Sequence, residues 1–205
     1  LRSNYPNWNV VSGDIMDFNK NKIYSAAGLN IEQEIDLIAG GSPCQSFSTA
    51  GKRTAFTDPR GQAMIQFAKI ISESKPKAFL LENVKGLLSA ALKHRPLNQR
   101  GSEFPPLEQD EQPGSALNFL LSYFNEYNVN YEVLNSADYG VPQKRERVFI
   151  IGIRKDLNEE FTFPEPTHSE YPKEGKQLWN AVSKVFDDLK EITHHHTNYS
   201  KERLK

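Results

Sequence analysis

Short apolar runs alternate with amphipathic stretches along most of this chain, and that alternation constrains the fold more than any other feature. Val10-Val11 leading to Gly13-Asp14, then Asp36 to Ala39, Ala78 to Leu81, Tyr131 to Leu134 and Arg147 to Ile153 read as strands. Most are continuous apolar runs, the pattern of strands covered on both faces. Between them, residues 61–74 place Ala63, Phe67, Ile70, Ile71 and Ser74 on one helical stripe, and residues 115–126 do the same with Leu117, Leu120, Leu121 and Phe124. The expected class is α/β with a doubly wound sheet, in which ligands bind at the carboxyl ends of the strands. Asp14, Cys44 and Glu82 all fall at such ends.

Those ends carry chemistry. Cys44, the single cysteine, lies where Ile38-Ala39-Gly40-Gly41 breaks into the loop Ser42-Pro43-Cys44-Gln45-Ser46-Phe47-Ser48. A cysteine without context is usually a half-buried small hydrophobe. This one follows a proline that fixes the backbone at the lip of a strand, a setting suited to a reactive thiol. Ala78-Phe79-Leu80-Leu81 runs directly into Glu82-Asn83-Val84, and Gln143-Lys144-Arg145-Glu146-Arg147 leads into Val148-Phe149-Ile150-Ile151. Arg145 and Arg147, spaced by one residue, project to one side of a strand start, and Glu146 projects to the other as a solvated or structural partner. Each group alone has a plainer reading: a strand-end salt bridge for Glu82, a phosphate-contacting patch for Lys144, Arg145 and Arg147.

Read together and in order, Gly-Ser-Pro-Cys-Gln-Ser-Phe-Ser, Glu-Asn-Val and Gln-Lys-Arg-Glu-Arg-Val-Phe resemble three motifs of the cytosine-5 methyltransferases of the bacterial restriction-modification type. The likeness extends to Gly13-Asp14-Ile15, and to Gly51-Lys52-Arg53 through Asp58-Pro59-Arg60-Gly61, which is similar to the family's mobile loop beside the thiol. It is collinear over most of Val10 to Arg154. The resemblance implies a Rossmann-like sheet, S-adenosylmethionine as cofactor and double-stranded DNA as partner. It also implies methyl transfer to carbon 5 of a flipped-out cytosine.

On that resemblance Cys44 adds to carbon 6 of the ring, turning it into an enamine whose carbon 5 can attack a methyl group. Glu82 protonates or hydrogen-bonds ring nitrogen 3, and burial against Phe79, Leu80 and Leu81 would favour its proton-bearing form. Arg147, with Arg145, supplies donors to the exocyclic oxygen. Asp14 offers its carboxylate to the adenine amino group, with Ile15 and Pro43 lining that pocket. Gln45, Ser48 and Asn83 are expected to contact the substrate, and Lys52, Arg53 and Arg60 to meet phosphates from a closing loop.

The departures shape the rest. Nothing before Val10 resembles the family's glycine-rich cofactor motif, and most of a target-recognition region is absent from the sequence. The expectation is therefore a fragment, or one portion of a split protein completed by another chain, with poor cofactor affinity on its own. Residues 1–160 are expected as a partial catalytic domain with a flexible insertion at 93–114, where Pro96, Pro105, Pro106 and Pro113 interrupt any apolar face. Residues 161–205 are expected as a linker and the start of the target-recognition region, with a helix carrying Leu178, Val182, Val185, Phe186 and Leu189.

Composition bounds the alternatives. With 38% hydrophobic and 25% charged residues, the chain has the make-up of an ordinary globular protein. One cysteine excludes an internal disulfide, and no apolar run reaches membrane-spanning length, so a cytoplasmic, nucleoid-associated bacterial protein is expected. His194-His195-His196 completes no metal site, because three adjacent histidines cannot all face one ion. A net charge of −1 is less than a duplex-gripping domain usually carries. Either the basic residues are clustered or most of the DNA grip lies elsewhere. The absent cofactor motif leaves a non-catalytic module binding nucleic acid or a partner as one alternative, and the resemblance of the thiol and Glu-Asn-Val pair to enzymes acting on transfer RNA leaves an RNA cytosine-5 methyltransferase as another.

Overall fold

A computed structural model describes residues 3–43, 47, 56, 59–172 and 175–183, with the side chain of Arg60 left out. Two compact units divide the chain, residues 1–134 with 146–164 and residues 135–145 with 165–205.

The first unit is a sheet with helices. Helix α1 spans Lys20–Ala27, opened by the Asn19 side chain accepting from Lys22 N and closed by Gly28 in the left-handed region. Strand β1 (Leu37–Gly41) follows, then α2 (Pro59–Ser74), whose first residue is a proline, where the missing N–H costs nothing. Strand β2 (Ala78–Asn83), α3 (Ser115–Leu121), β3 (Tyr127–Asn135) and β4 (Glu146–Arg154) complete it. The strand order is β1-β2-β4-β3. β1 and β2 are parallel, and β4 runs antiparallel to β2. The α/β class is as the periodicity predicts.

One face of β2 is the core. Phe79 and Leu81 are fully buried, together with Val148 and Ile150 of β4, Met64, Ala68 and Ile71 of α2, and Leu120 of α3. Each of these side chains other than Ala68 contributes roughly 1.5–3 kcal/mol. Ala78, Leu80 and Glu82 alternate to the other, partly covered face. At the far end of the sheet, the Arg154 guanidinium donates to Asp156 Oδ1 at 2.7 Å and Glu34 Oε1 at 2.5 Å, tying the end of β4 to the segment before β1.

Two expectations change here. Val10-Val11 forms no strand: among the described residues none precedes Leu37, and Val11 is half-exposed. A two-residue β-branched run has no ladder without a neighbour to pair with. Leu178 belongs not to a helix but to a two-residue strand, β6 (Gln177–Leu178), paired with β5 (His168–Ser169) in the second unit. Val185, Phe186 and Leu189 lie outside the described residues.

Residues 93–114, whose missing apolar periodicity predicts a flexible insertion, carry a set of polar contacts. Arg95 Nε donates to Glu111 Oε1 at 3.0 Å, its Nη2 reaches Oε2, and its Nη1 donates to the Pro105 carbonyl at 2.6 Å. Glu111 closes a capping box on Glu108 N. The Arg95 hydrogen bond holds the Glu111 carboxyl below its ordinary 4.5, with the Glu108 backbone amide acting the same way. A depressed folded-state pKa means that this contribution is complete above pH 4.5 and lost as pH falls through the lower folded value. Amide hydrogen-exchange protection in this segment, taken relative to the intrinsic rate at each pH, should therefore fall selectively below that pH, and Glu111→Gln should remove the dependence. An exchange pattern that stays as pH-dependent in the variant would rule the pair out as its source.

Candidate active site

Strand direction gathers the site. Because β1 and β2 are parallel, their carboxyl ends share one edge of the sheet, and antiparallel β4 brings its amino end to the same edge. Three sequence-distant motifs thus meet: the residues after β1, the last two of β2 and the first two of β4.

Glu82 pairs in register with Gly41 on one side and Phe149 on the other. Arg147 is two residues from Phe149 on the same face of β4, hence diagonal to Glu82. Its Nε lies 3.0 Å from Glu82 Oε1. The side chains are 32% and 21% exposed, and an ion pair so open to water contributes little to stability, roughly 0.2–1 kcal/mol. What it does is orient the carboxyl. Strand alternation also corrects one expectation: Phe79 and Leu81 point to the opposite face, so they do not bury Glu82. Glu146 takes the other side of β4 and pairs with Lys85, as the alternation predicts.

Gly41 makes room for the acid. A Cβ on this residue would lie 2.8 Å from Glu82 Oε2, inside any tolerated contact. Asn83, expected to touch substrate, is 1% exposed. Its amide donates to Ser42 Oγ at 3.0 Å and to the Ser42 carbonyl at 3.3 Å, while its Oδ1 accepts from Val84 N at 2.8 Å. No role for Ser42 or Gly41 follows from the sequence; the available signal was their position just before Pro43-Cys44.

Beside this edge lies a pocket of ≈ 250 Å³ lined by Ile15, Gly40, Gly41, Ser42, Pro43, Ala63 and Phe67. It joins Ile15 and Pro43, the two residues expected against an adenine ring. Its walls are mostly apolar and aromatic, which fits the flat face of a purine. Asp14 stands next to Ile15, exposed, its Oδ1 accepting from Met16 N at the start of a 3-10 turn.

In the second unit, Arg145 N donates to Asn135 Oδ1 at 3.1 Å and its carbonyl accepts from Ser136 N. Gln143 offers its carbonyl to Ser136 Oγ at 2.6 Å. Trp179 Nε1 donates to Asp138 Oδ1 at 2.8 Å, and Lys144 Nζ sits 5.2 Å from the Trp179 ring centre. Cys44, Gln45, Ser48, Lys52 and Arg53 lie outside the described residues, as does the side chain of Arg60. Among the described residues no helix is long and apolar enough to cross a membrane, and no group of three His, Cys, Asp or Glu side chains could hold a metal ion.

This is the fold of a methyltransferase. A crystal structure described as a DNA modification methyltransferase encoded within an E. coli prophage superposes with a TM-score of 0.58 at 24% identity, covering 89% of this chain and 42% of that one. Entamoeba histolytica methyltransferase EhMeth gives 0.53 at 15% identity, over 82% of this chain and 45% of that one. The chain itself belongs to the C-5 cytosine-specific DNA methylase family, which it matches over residues 1–205. It is 42% identical over 178 residues to the Type II methyltransferase M.AquIA of Picosynechococcus sp., covering 82% of this chain and 62% of that protein. With the Type II methyltransferase M.Sau96I of Staphylococcus aureus it shares 40% over 168 residues, 80% of this chain and 33% of that protein. The chain thus spans less than two thirds of the length of these curated relatives.

Proposed function

We propose that the intact protein transfers a methyl group from S-adenosylmethionine to carbon 5 of a cytosine flipped out of double-stranded DNA. The observation that carries this is the Glu82–Arg147 pair, at the edge of the sheet where β1 ends just before Ser42 and Pro43. The Cys44 thiolate adds to carbon 6, which loads electron density onto carbon 5. Glu82 faces ring nitrogen 3 and supplies a proton or a hydrogen bond there. Arg147, with Arg145, presents fixed-plane donors to the exocyclic oxygen. Asp14, Ile15 and Pro43 would hold the adenosine end of the cofactor, which supplies the methyl group when bound. Gln45 and Ser48 contact the extruded nucleotide, and Lys52, Arg53 and Arg60 meet phosphates. The work is done on bacterial DNA, in the cytoplasm.

A covalent intermediate can be trapped. Duplex DNA carrying 5-fluorocytosine has no removable hydrogen at carbon 5, so methylation should leave enzyme and DNA joined. The intact gene product, given cofactor and this duplex, should form a denaturation-resistant adduct whose tryptic peptide contains Cys44. Adduct mapped to another residue, or none under conditions that methylate ordinary cytosine, would overturn the covalent route.

A further inference from the structure

The thiol loop and the acid belong to strand ends that are separated by 41 residues in sequence and joined by one side chain. Asn83 follows the last β1–β2 register pair, Gly41 with Glu82, and so stands opposite Ser42 one step past the ladder. At that step its buried amide donates to both Ser42 oxygens and its own oxygen holds Val84 N, so all its bonds lie within the two strand ends. A buried amide with these partners fixes both backbones, because leaving any of its groups unpaired costs about 1–3 kcal/mol.

We propose that Ser42 and Asn83 are positioning residues that set where the Pro43-Cys44 loop leaves β1 relative to the Glu82 carboxyl. The proposal rests on the reading of Cys44 as nucleophile and Glu82 as acid. Both must reach the same pyrimidine ring at once, at positions whose separation the ring dictates, and a displacement of about 1 Å can cost 10²-fold. Gly41 serves the same register from the other face, leaving the space that Glu82 Oε2 occupies. The device involves two of the three residues directly before Cys44 and the residue directly after Glu82.

Ser42→Ala is the discriminating change, since Asn83 keeps its bond to the Ser42 carbonyl and the fold stays intact. In the intact gene product, assayed where the variant is fully folded, we expect single-turnover methyl transfer to fall about tenfold, with DNA affinity unchanged and the thermal midpoint lowered only by the few degrees that one unpaired amide hydrogen costs. Ser42→Thr, which retains the hydroxyl, should recover most of the rate. Combining Ser42→Ala with Asn83→Ala should slow transfer little beyond Asn83→Ala alone, because residues acting through one contact are not additive. Wild-type transfer by Ser42→Ala, in a protein that Cys44→Ala inactivates, would overturn the positioning role and leave the mechanism standing. A rate loss that tracks a lowered thermal midpoint, unrelieved by threonine, would overturn it too, showing a purely structural contact. Transfer retained by Cys44→Ala would instead remove the mechanism beneath it.

Discussion

Cys44→Ala in the intact gene product is expected to lower methyl transfer by more than about 10⁴-fold, the scale seen when a covalent nucleophile is removed. Carbon 5 of cytosine has little usable electron density until something adds at carbon 6, and alanine provides no such group. Grip on the duplex should persist, since phosphate contacts dominate affinity. Glu82→Gln keeps the shape of the acid and its place over Gly41 but has no proton to give, so a smaller loss of about 10²–10³-fold is expected. Single-turnover transfer of a labelled methyl group, beside a DNA-binding titration, measures both. Product formed by Cys44→Ala near the parent rate would refute the nucleophile, and an unchanged rate for Glu82→Gln would remove the acid. The order of the two losses is itself informative: the thiol makes the bond, whereas the carboxyl only eases its formation.

How much of this was legible in the sequence depended on what each residue answers to. Strands β2 and β4 announce themselves because buried strands are apolar runs, and β1 carries an apolar run although it is only partly covered; their ends carry the motifs that the sheet then brings to one edge. Val10-Val11 has the same local chemistry and no strand, because pairing is a property of two segments and only one was in view. Glu82 was found through its motif, but its neighbours were misjudged: adjacency to Phe79 and Leu81 suggested burial, and the period of two in a strand sends them to the other face. The Ser42–Asn83 bridge and the Arg95–Glu111 pair were invisible for a shared reason. Both are polar contacts between positions 41 and 16 residues apart along the chain, with no periodicity to mark them. Polar contacts run through residues 93–114, where no apolar pattern points to them.

Gly152→Ala should be the most destabilising small substitution in the sheet. Gly152 reads as one more member of an apolar run, yet it sits in register with Phe79 across β2 and β4. A Cβ there would lie 2.1 Å from Phe79 Cε1 and 2.7 Å from Cζ, so the ring must move. It has nowhere to go: Phe79 is fully buried, its centroid 4.3 Å from Phe124 and 5.0 Å from Tyr127. Tyr127 is held in turn by its hydroxyl, which donates to the Pro76 carbonyl at 2.9 Å. Overpacking of a closed core costs about 1–3 kcal/mol, and with three aromatic rings obstructed the upper end applies. For a chain of this size about 3 kcal/mol corresponds to roughly 6–12 °C in thermal midpoint. Phe79→Leu opens a cavity and is destabilising alone, but in the Gly152→Ala background the smaller side chain yields space to the new methyl group. The double variant should therefore be more stable than the sum of the single losses predicts. Strict additivity, or a midpoint for Gly152→Ala within about 2 °C of the parent, would show that the methyl group is accommodated by strand movement rather than resisted by the Phe79 ring.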